Sequence, residues 1–176
     1  MRIEVLIAGR GGQGILLLGH ILGKAMAKYT NLYILGSETY AAETRGGDSR
    51  VDLVVADREE EADFIKVVGA DIALVMHQAQ LDAYSHLIKD GALVLLDGSN
   101  VASIPSRNWR VFLEPYTDIA EREFGTPRVA NMVALGHLVK QTSLVPPEGV
   151  EEVIRETVPR DWVDVNIRAF RYFLSR

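Results

Sequence analysis

With 176 residues, 48% of them hydrophobic and 24% charged, the chain has the composition of an ordinary globular protein, which excludes a disordered or fibrous class. A net charge of -5 argues against nucleic acid as the main partner, because a phosphate backbone requires a concentrated basic surface. The sequence contains no cysteine, so it forms no disulfide and holds no iron–sulfur cluster through thiolates of its own.

The longest apolar stretch predicts a buried helix and no membrane partner. It covers residues 15–27, includes His20 and Lys24, and is shorter than the ~20 residues that a membrane span needs. The sequence begins with Met1, Arg2 and a predicted strand, which leaves no room for a signal peptide. We therefore expect a cytoplasmic location.

Apolar runs alternate with helical patterns along the chain. Strands are predicted at residues 3–8, 32–35, 51–55, 72–76 and 92–96, and helices at residues 15–29, 80–89, 118–124, 129–141, 148–156 and 163–174. This alternation predicts a three-layer, Rossmann-like α/β fold with a mostly parallel sheet and helices on both faces. The only plausible linker is residues 99–108, so we expect a single domain that spans residues 1–176.

The predicted strand at residues 51–55 differs from the others. In and beside it, Arg50 and Asp52 alternate with valine and leucine, whereas the run at residues 72–76 is apolar on both faces, as in a central parallel strand. Alternation is typical of a half-exposed strand. We therefore place this strand toward an edge of the sheet, with an antiparallel direction as one option.

The first glycine-rich turn, Gly9-Arg10-Gly11-Gly12-Gln13-Gly14, joins the first predicted strand to the first predicted helix. Its glycines have the spacing that allows a tight turn, close backbone approach to a diphosphate and close packing of helix on strand. A structural crossover explains them equally well. A standard dinucleotide site also needs an acidic residue about 20 residues further on, and Glu38 qualifies only if the second strand extends past residue 35. NAD is therefore a less favoured ligand.

The second turn, Arg45-Gly46-Gly47, belongs to a polar loop at residues 37–50, and such long loops are often functional. Arg45 is suited to bind a carboxylate or phosphate with two hydrogen bonds, and an ion pair with Glu43 or Asp48 is the equal alternative. In a doubly wound sheet, turns that follow parallel strands meet at one edge. We expect the two glycine turns to line a single rim there.

No catalytic or metal-binding motif stands out, and we assign no catalytic or metal-ligating residue. The histidines lack metal-ligand spacing and are interpreted as structural: His20, His77, His86 and His137. The run Asp97-Gly98-Ser99-Asn100 resembles a loop more than a magnesium site. Asn131 begins an apolar helix, where capping is the first interpretation and contact with a bound group is the alternative.

Three segments in fixed order carry a family resemblance. They are Ile7-Ala8-Gly9-Arg10-Gly11-Gly12-Gln13-Gly14, then Ser37-Glu38-Thr39-Tyr40 leading to Glu43-Thr44-Arg45-Gly46-Gly47-Asp48-Ser49, and Ala130-Asn131-Met132-Val133-Ala134-Leu135-Gly136. With these segments, the chain resembles over nearly its whole length the gamma subunit of 2-oxoacid:ferredoxin oxidoreductases, which act on pyruvate, 2-oxoglutarate, 2-oxoisovalerate or indolepyruvate. Its length is most similar to that of separate gamma subunits of 2-oxoglutarate or related enzymes.

The resemblance implies a supporting role in a complex that oxidises a 2-oxoacid, with 2-oxoglutarate as first choice, to acyl-coenzyme A and reduces ferredoxin. Other subunits would bind thiamine diphosphate with magnesium and carry iron–sulfur clusters, and the isolated chain would be inactive. The cofactor-binding residues that it implies, toward coenzyme A or the shared cavity, are Gly9, Gly11, Gly12, Gln13, Gly14, Arg45, Gly46, Gly47 and Asn131. The alternatives are a free-standing Rossmann-like module that binds a nucleotide or coenzyme A derivative, and a purely structural role.

Overall fold

The computed structural model of the protein describes residues 1–40 and 47–176, with the side chain of residue 40 outside the description. In these ranges the strands are β1 (Arg2–Arg10), β2 (Tyr33–Tyr40), β3 (Asp48–Ala56), β4 (Ala70–Val75), β5 (Ile88–Asp97) and β6 (Arg110–Glu114). The helices there are α1 (Ile15–Tyr29), α2 (Gln78–Tyr84), α3 (Tyr116–Phe124), α4 (Ala130–Thr142), α5 (Pro147–Thr157) and α6 (Val163–Leu174).

The strands form one sheet in the order β2-β3-β1-β4-β5-β6. Strands β1, β4, β5 and β6 pair in parallel, and β3 runs antiparallel to both of its neighbours. Strand β2 therefore points in the same direction as β1. The predicted α/β class and mostly parallel sheet are confirmed, and β4, the strand predicted to be apolar on both faces, lies inside the parallel part.

The edge position predicted for β3 is wrong, although its antiparallel direction is observed. The strand lies between β2 and β1, and Asp52 is only 1% exposed. This buried strand can carry charged residues because they neutralise each other. The Arg50 guanidinium donates to both carboxylate oxygens of Asp52, at 2.6 and 2.7 Å. The backbone N–H of Val67 donates to the same carboxylate at 2.9 Å. The paired charges of Arg50 and Asp52 therefore give the same sequence pattern as a strand with one solvent-exposed face.

One face of the sheet carries the larger hydrophobic core, which α1, α3, α4, α5 and α6 share. Helix α4 lies deepest, because residues 130–139 are all buried. Gly136 allows α6 to approach, since a Cβ atom there would overlap the carbonyl oxygen of Phe170. This close contact fixes α6 against α4 and closes the core.

The other face has a thinner cover. Its core joins Leu6, Val75 and Leu96 of the sheet to Leu81 of α2 and to Val101 in the loop after β5. Helices thus lie on both faces, as predicted, but in unequal number. No helix within the described ranges has both the length and the apolar character of a bilayer-crossing segment.

Several element boundaries differ from the prediction. The helix predicted at residues 80–89 ends at Tyr84, a 3₁₀ turn follows, and β5 already begins at Ile88. Strand β2 continues to Tyr40 and therefore includes Glu38. Strand β6 was missed because Arg110–Glu114 is short and, as an edge strand of the sheet, has no buried residue.

Candidate functional site

Gly47, the last residue of the second glycine turn, meets the first turn at the carboxyl edge of the sheet. The first turn follows the end of β1, and the second precedes β3, whose first residue pairs with Arg10. The backbone N–H of Gly11 donates to the carbonyl oxygen of Gly47 at 2.6 Å. The expectation of one shared rim is therefore confirmed for Gly47. Arg45 and Gly46 lie outside the described residues.

Gln13 fixes the shape of the first turn. Its backbone N–H donates to the Arg10 carbonyl at 3.1 Å, and its side-chain oxygen accepts from the Arg10 N–H at 2.8 Å. Its side-chain Nε2 donates to the carbonyl of Met76, just beyond β4, at 3.0 Å. Gln13 thus ties the turn to the ends of two neighbouring strands. Its polar groups have a structural use, and its contact with a ligand stays a prediction.

Three of the glycines are required by backbone conformation or by close packing. Gly12 has φ +93° and Gly14 has φ +71°, a region that side chains with a Cβ rarely adopt. A Cβ at Gly9 would lie 2.7 Å from Oε1 of Gln13 and from Cδ1 of Ile15. These positions shape a tight strand-to-helix turn whether or not a ligand binds.

Asn131 links helix α4 to the first turn. Its Nδ2 donates to the carbonyl of Gly14 at 3.1 Å, and its Oδ1 accepts from the N–H of Met132 at 2.9 Å. The side chain is buried, with only 2% of the residue exposed. These contacts favour a positioning role, because both polar ends of the amide already have protein partners. Contact between Asn131 and a bound group stays a prediction.

A cleft of about 410 Å³ opens beside the turn. Its lining joins the turn glycines and Arg10 to the first turn of α1 and to the start of β3: Gly11, Gly12, Gly14, Ile15, Leu16, Leu17, Asp48 and Ser49. In the described residues no side chain caps the N-terminus of α1, and its first turn carries no acidic residue. The first N–H groups of a helix lack acceptors within it and attract anions. The cleft therefore has the features of a phosphate or carboxylate site.

Glu38 lies in a different cleft. A groove of about 490 Å³ runs between α1 and strands β2 and β3, and Glu38 lines it together with Gly19 and Gly23. A Cβ at Gly19 would lie 2.6 Å from Cγ1 of Val51, so this small residue of α1 allows close packing on the sheet. The longer β2 thus brings Glu38 into a strand without placing it in the cleft of the glycine turn.

Sequence reasoning missed a polar layer between the start of β3 and α2. The carboxylate of Asp48 accepts from the hydroxyl of Tyr84 and, at 3.2 Å, from Nε2 of Gln80, both on α2. Burial, followed by the hydrogen bond to Asp48, raises the pKa of Tyr84 to about 12, so its hydroxyl remains a donor. The guanidinium of Arg50 stacks 4.8 Å from the centre of the Tyr84 ring. The alternation of Asp48, Arg50 and Asp52 on one face of β3 was the available signal.

Asp97 holds the loop that follows β5. It is fully buried, and it accepts from Oγ1 of Thr117 at 2.6 Å, from Nδ2 of Asn100 at 3.0 Å and from the N–H of Ser99 at 3.1 Å. These bonds agree with the interpretation of this run as a loop. The described residues contain no group of three or more His, Cys, Asp or Glu side chains that is arranged to hold a metal ion.

The comparison with known protein families decides which family the chain belongs to. The sequence model of a family described as "Pyruvate ferredoxin/flavodoxin oxidoreductase" matches residues 4–174. The chain belongs to this family. One relative, the 2-oxoglutarate synthase subunit KorC of Methanocaldococcus jannaschii, is 39% identical over 172 residues, which cover 97% of this chain and 91% of the relative. The pyruvate synthase subunit PorC of Methanothermobacter marburgensis is 28% identical over 175 residues, with coverage of 96% and 94%.

Solved structures agree with this assignment. The gamma subunit of a keto/oxoacid ferredoxin oxidoreductase from Geobacter sulfurreducens PCA has a TM-score of 0.83 and 31% identity, and the match covers 96% of this chain and 94% of that one. The 2-oxoglutarate:ferredoxin oxidoreductase of Magnetococcus marinus shares the fold, with a TM-score of 0.84 and 21% identity over 99% of this chain and 30% of that one. The resemblance to gamma subunits of the family is confirmed.

Proposed function

We propose that this chain is the gamma subunit of a complex that converts a 2-oxoacid and coenzyme A to acyl-coenzyme A and carbon dioxide and passes two electrons to ferredoxin. The first choice of substrate is 2-oxoglutarate, because KorC of Methanocaldococcus jannaschii is more similar to the chain than PorC of Methanothermobacter marburgensis is. Thiamine diphosphate with magnesium would supply the decarboxylation chemistry, and iron–sulfur clusters would carry the electrons, both on other subunits. The isolated chain would be inactive.

The proposed role of this chain in the complex is to position coenzyme A or to close the shared cavity. The single observation that carries this role is the hydrogen bond that joins Gly11 of the first turn to Gly47. It lies beside an α1 N-terminus that has no side-chain cap in the described residues. Backbone N–H groups in such a place bind phosphate oxygens. Arg45, on the second turn, would add a guanidinium that binds a phosphate or carboxylate with two hydrogen bonds. The Magnetococcus marinus enzyme, which shares the fold, has been solved with coenzyme A bound.

Anaerobic purification of the tagged protein from its native host tests the assembly. We expect chains that bind thiamine diphosphate and iron–sulfur clusters to copurify, and we expect the purified complex to reduce ferredoxin faster with 2-oxoglutarate than with pyruvate. A chain that purifies alone and binds a nucleotide or coenzyme A derivative by itself would replace the proposal with the free-standing module. A complex that prefers pyruvate would change only the substrate.

Substitution of Arg45 in that complex tests the contact with coenzyme A. We expect Arg45→Ala to raise the KM for coenzyme A by about tenfold or more, since a hydrogen bond to a charged group contributes ~1.5–3 kcal/mol. The KM for the 2-oxoacid would not change. Arg122→Ala, at an exposed position on α3, removes the same charge from another surface and serves as the control. An unchanged KM for coenzyme A in the Arg45 variant would refute the contact.

A further inference from the structure

Strand β6 forms one edge of the sheet and exposes apolar side chains there. It pairs with β5 on one side, and no strand of the described residues pairs with its other side. Val111 is 36% exposed and Leu113 is 49% exposed. A central lysine or a proline usually protects such an edge from pairing with another chain. The exposed central positions of β6 carry valine and leucine in place of a protecting charge.

The backbone groups of Val111 and Leu113 point away from β5. The carbonyl oxygen of Glu114 accepts from the N–H of Gly98, just beyond β5, at 2.8 Å, so the backbone of Glu114 faces β5. Successive residues of a strand direct their N–H and C=O groups to opposite sides. Val111 and Leu113 therefore each direct one donor and one acceptor to the open edge, where a further strand would pair.

The sequence of β6 is complementary to itself in one antiparallel register. When the two-fold axis passes through Phe112, Val111 of one copy lies opposite Leu113 of the other, and these outward residues exchange both hydrogen bonds. The same register sets Arg110 of one copy opposite Glu114 of the other, so opposite charges meet on both sides of the axis. A shift by two residues sets Arg110 or Glu114 opposite Phe112 and loses these ion pairs. A shift by one residue opposes an outward residue to an inward one.

The side chains of β6 are divided between the two faces of the sheet in a way that fits this register. The Phe112 ring lies 5.2 Å from the ring of His137, in the larger core, so Arg110 and Glu114 lie on that same face by alternation. Arg110 stacks on Phe112, with its guanidinium 5.3 Å from the ring centre. Among the described residues neither Arg110 nor Glu114 has an ion-pair partner in its own chain. Both charges are therefore available to a second copy.

The opposite face of β6 continues the smaller core. Val111 pairs with Val94 of β5, and Leu113 pairs with Leu96. Both partners in β5 are fully buried in the smaller core. In the antiparallel register, Val111 and Leu113 of two copies would meet across the axis on this face. The exposed apolar surface of each copy would then become an extension of a core that already exists.

We propose that β6 is a self-association surface, through which two copies of this chain pair antiparallel about a two-fold axis at Phe112 and join their sheets into one. Such an interface uses the same patch on both copies, as in the commonest class of homodimer. Strands β4 and β5 separate β6 from β1, so the pairing leaves the cleft beside the first glycine turn open. The inference thus goes beyond the proposed function and does not depend on it.

Sedimentation equilibrium of the isolated full chain over a range of concentrations tests the pairing. We expect a reversible equilibrium between monomer and dimer. Leu113→Lys should raise the dissociation constant by about tenfold or more, because it removes apolar cross-strand contacts and places a charge on the edge. Val68→Lys is the matched control, since Val68 is 65% exposed in the loop before β4, away from β6, and this variant should associate as the parent does.

A pair of charge-reversal variants tests the register. Arg110→Glu and Glu114→Arg should each raise the dissociation constant by about tenfold, because the cross-strand ion pairs become like-charge pairs. An equimolar mixture of the two variants should associate about as tightly as the parent, because each glutamate of one variant then lies opposite an arginine of the other. Both positions lie on the surface edge of the sheet, so the melting temperature of each variant should match that of the parent.

Three results would overturn the pairing: a chain that stays monomeric at the highest measurable concentration, an unchanged dissociation constant in Leu113→Lys, or a mixture of the charge-reversal variants that associates no better than either variant alone. The measurements use this chain alone, so their failure leaves the proposed function in place. Conversely, failure of the chain to copurify with other subunits leaves a measured self-association in place.

Discussion

The contact between Gly14 and Asn131 gives the sharpest prediction of stability at the site. Replacing Gly14 by alanine has two separate costs. The first is a Cβ at φ +71°, which costs ~1–2 kcal/mol because of its clash with the backbone. The second is steric: the new Cβ would overlap Nδ2 of Asn131, whose amide must then give up its 3.1 Å bond to the Gly14 carbonyl. Asn131 is buried, and an unsatisfied buried polar group costs ~1–3 kcal/mol.

We therefore expect Gly14→Ala to lower the free energy of unfolding by ~2–5 kcal/mol, measured by urea titration with circular dichroism. The matched control is Gly12→Ala. Gly12 has φ +93° but no atom within 4 Å of a new Cβ, so only the cost of ~1–2 kcal/mol applies there. Alanine also restricts the unfolded chain, and this gain is equal at the two positions and cancels between them.

A double variant isolates the steric part. In an Asn131→Ala background the clash is absent, so adding Gly14→Ala should cost no more than Gly12→Ala does in the parent protein. The coupling energy between positions 14 and 131 should then be ~1–3 kcal/mol. Equal losses for Gly14→Ala and Gly12→Ala, or a coupling energy near zero, would refute the reasoning from this contact.

Three further predictions concern the core. Burial first, and then the charge of Lys140, lower the pKa of His137 from 6.5 to about 4. Between these pH values the unfolded chain binds a proton that the folded protein does not. The free energy of unfolding is therefore full above pH 6.5 and falls by up to ~3 kcal/mol as the pH drops toward 4. Urea titrations at pH 7 and pH 4.5 should show a smaller loss for His137→Gln, and equal losses would contradict this assignment. Gly136→Ala should lower the melting temperature by several degrees, because its Cβ meets the backbone of Phe170; no change would mean that α6 shifts freely. Arg50→Met should lower the free energy of unfolding by ~3–5 kcal/mol, because it leaves the buried carboxylate of Asp52 without its charged partner. Adding Asp52→Leu to the same chain should recover most of that loss, as measured by chemical denaturation. Strictly additive losses from the two substitutions would contradict this prediction.

The sequence predicted the shape of the first glycine turn better than it predicted the environment of individual strands. The spacing of the glycines in the first turn predicted a strand-to-helix turn, since glycine is the residue that adopts positive φ without strain. The turn has that form, with Gly14 at the N-terminus of α1. The ligand contacts of the turn stay predictions, because glycine spacing is the same in a binding turn and in a structural crossover.

The misplacement of β3 shows the limit of local patterns. Charges that alternate with apolar residues look the same whether water or a paired charge faces them, and the Arg50–Asp52 pair is of the second kind. The distinction depends on what packs across the strand, here the Val67 N–H and the Tyr84 ring. Those groups come from distant parts of the chain.

The sequence by itself determined the α/β class, the order of most elements and the first glycine turn, because hydrophobic period and glycine spacing act over a few neighbouring residues. Only the tertiary structure decided the contact of Gly11 with Gly47, the hold of Asn131 on Gly14 and the approach of Arg10 to His77. These pairs are separated by 36, 117 and 67 positions. Sheet order and helix packing bring them together, and no local preference of the chain encodes a distance of that kind.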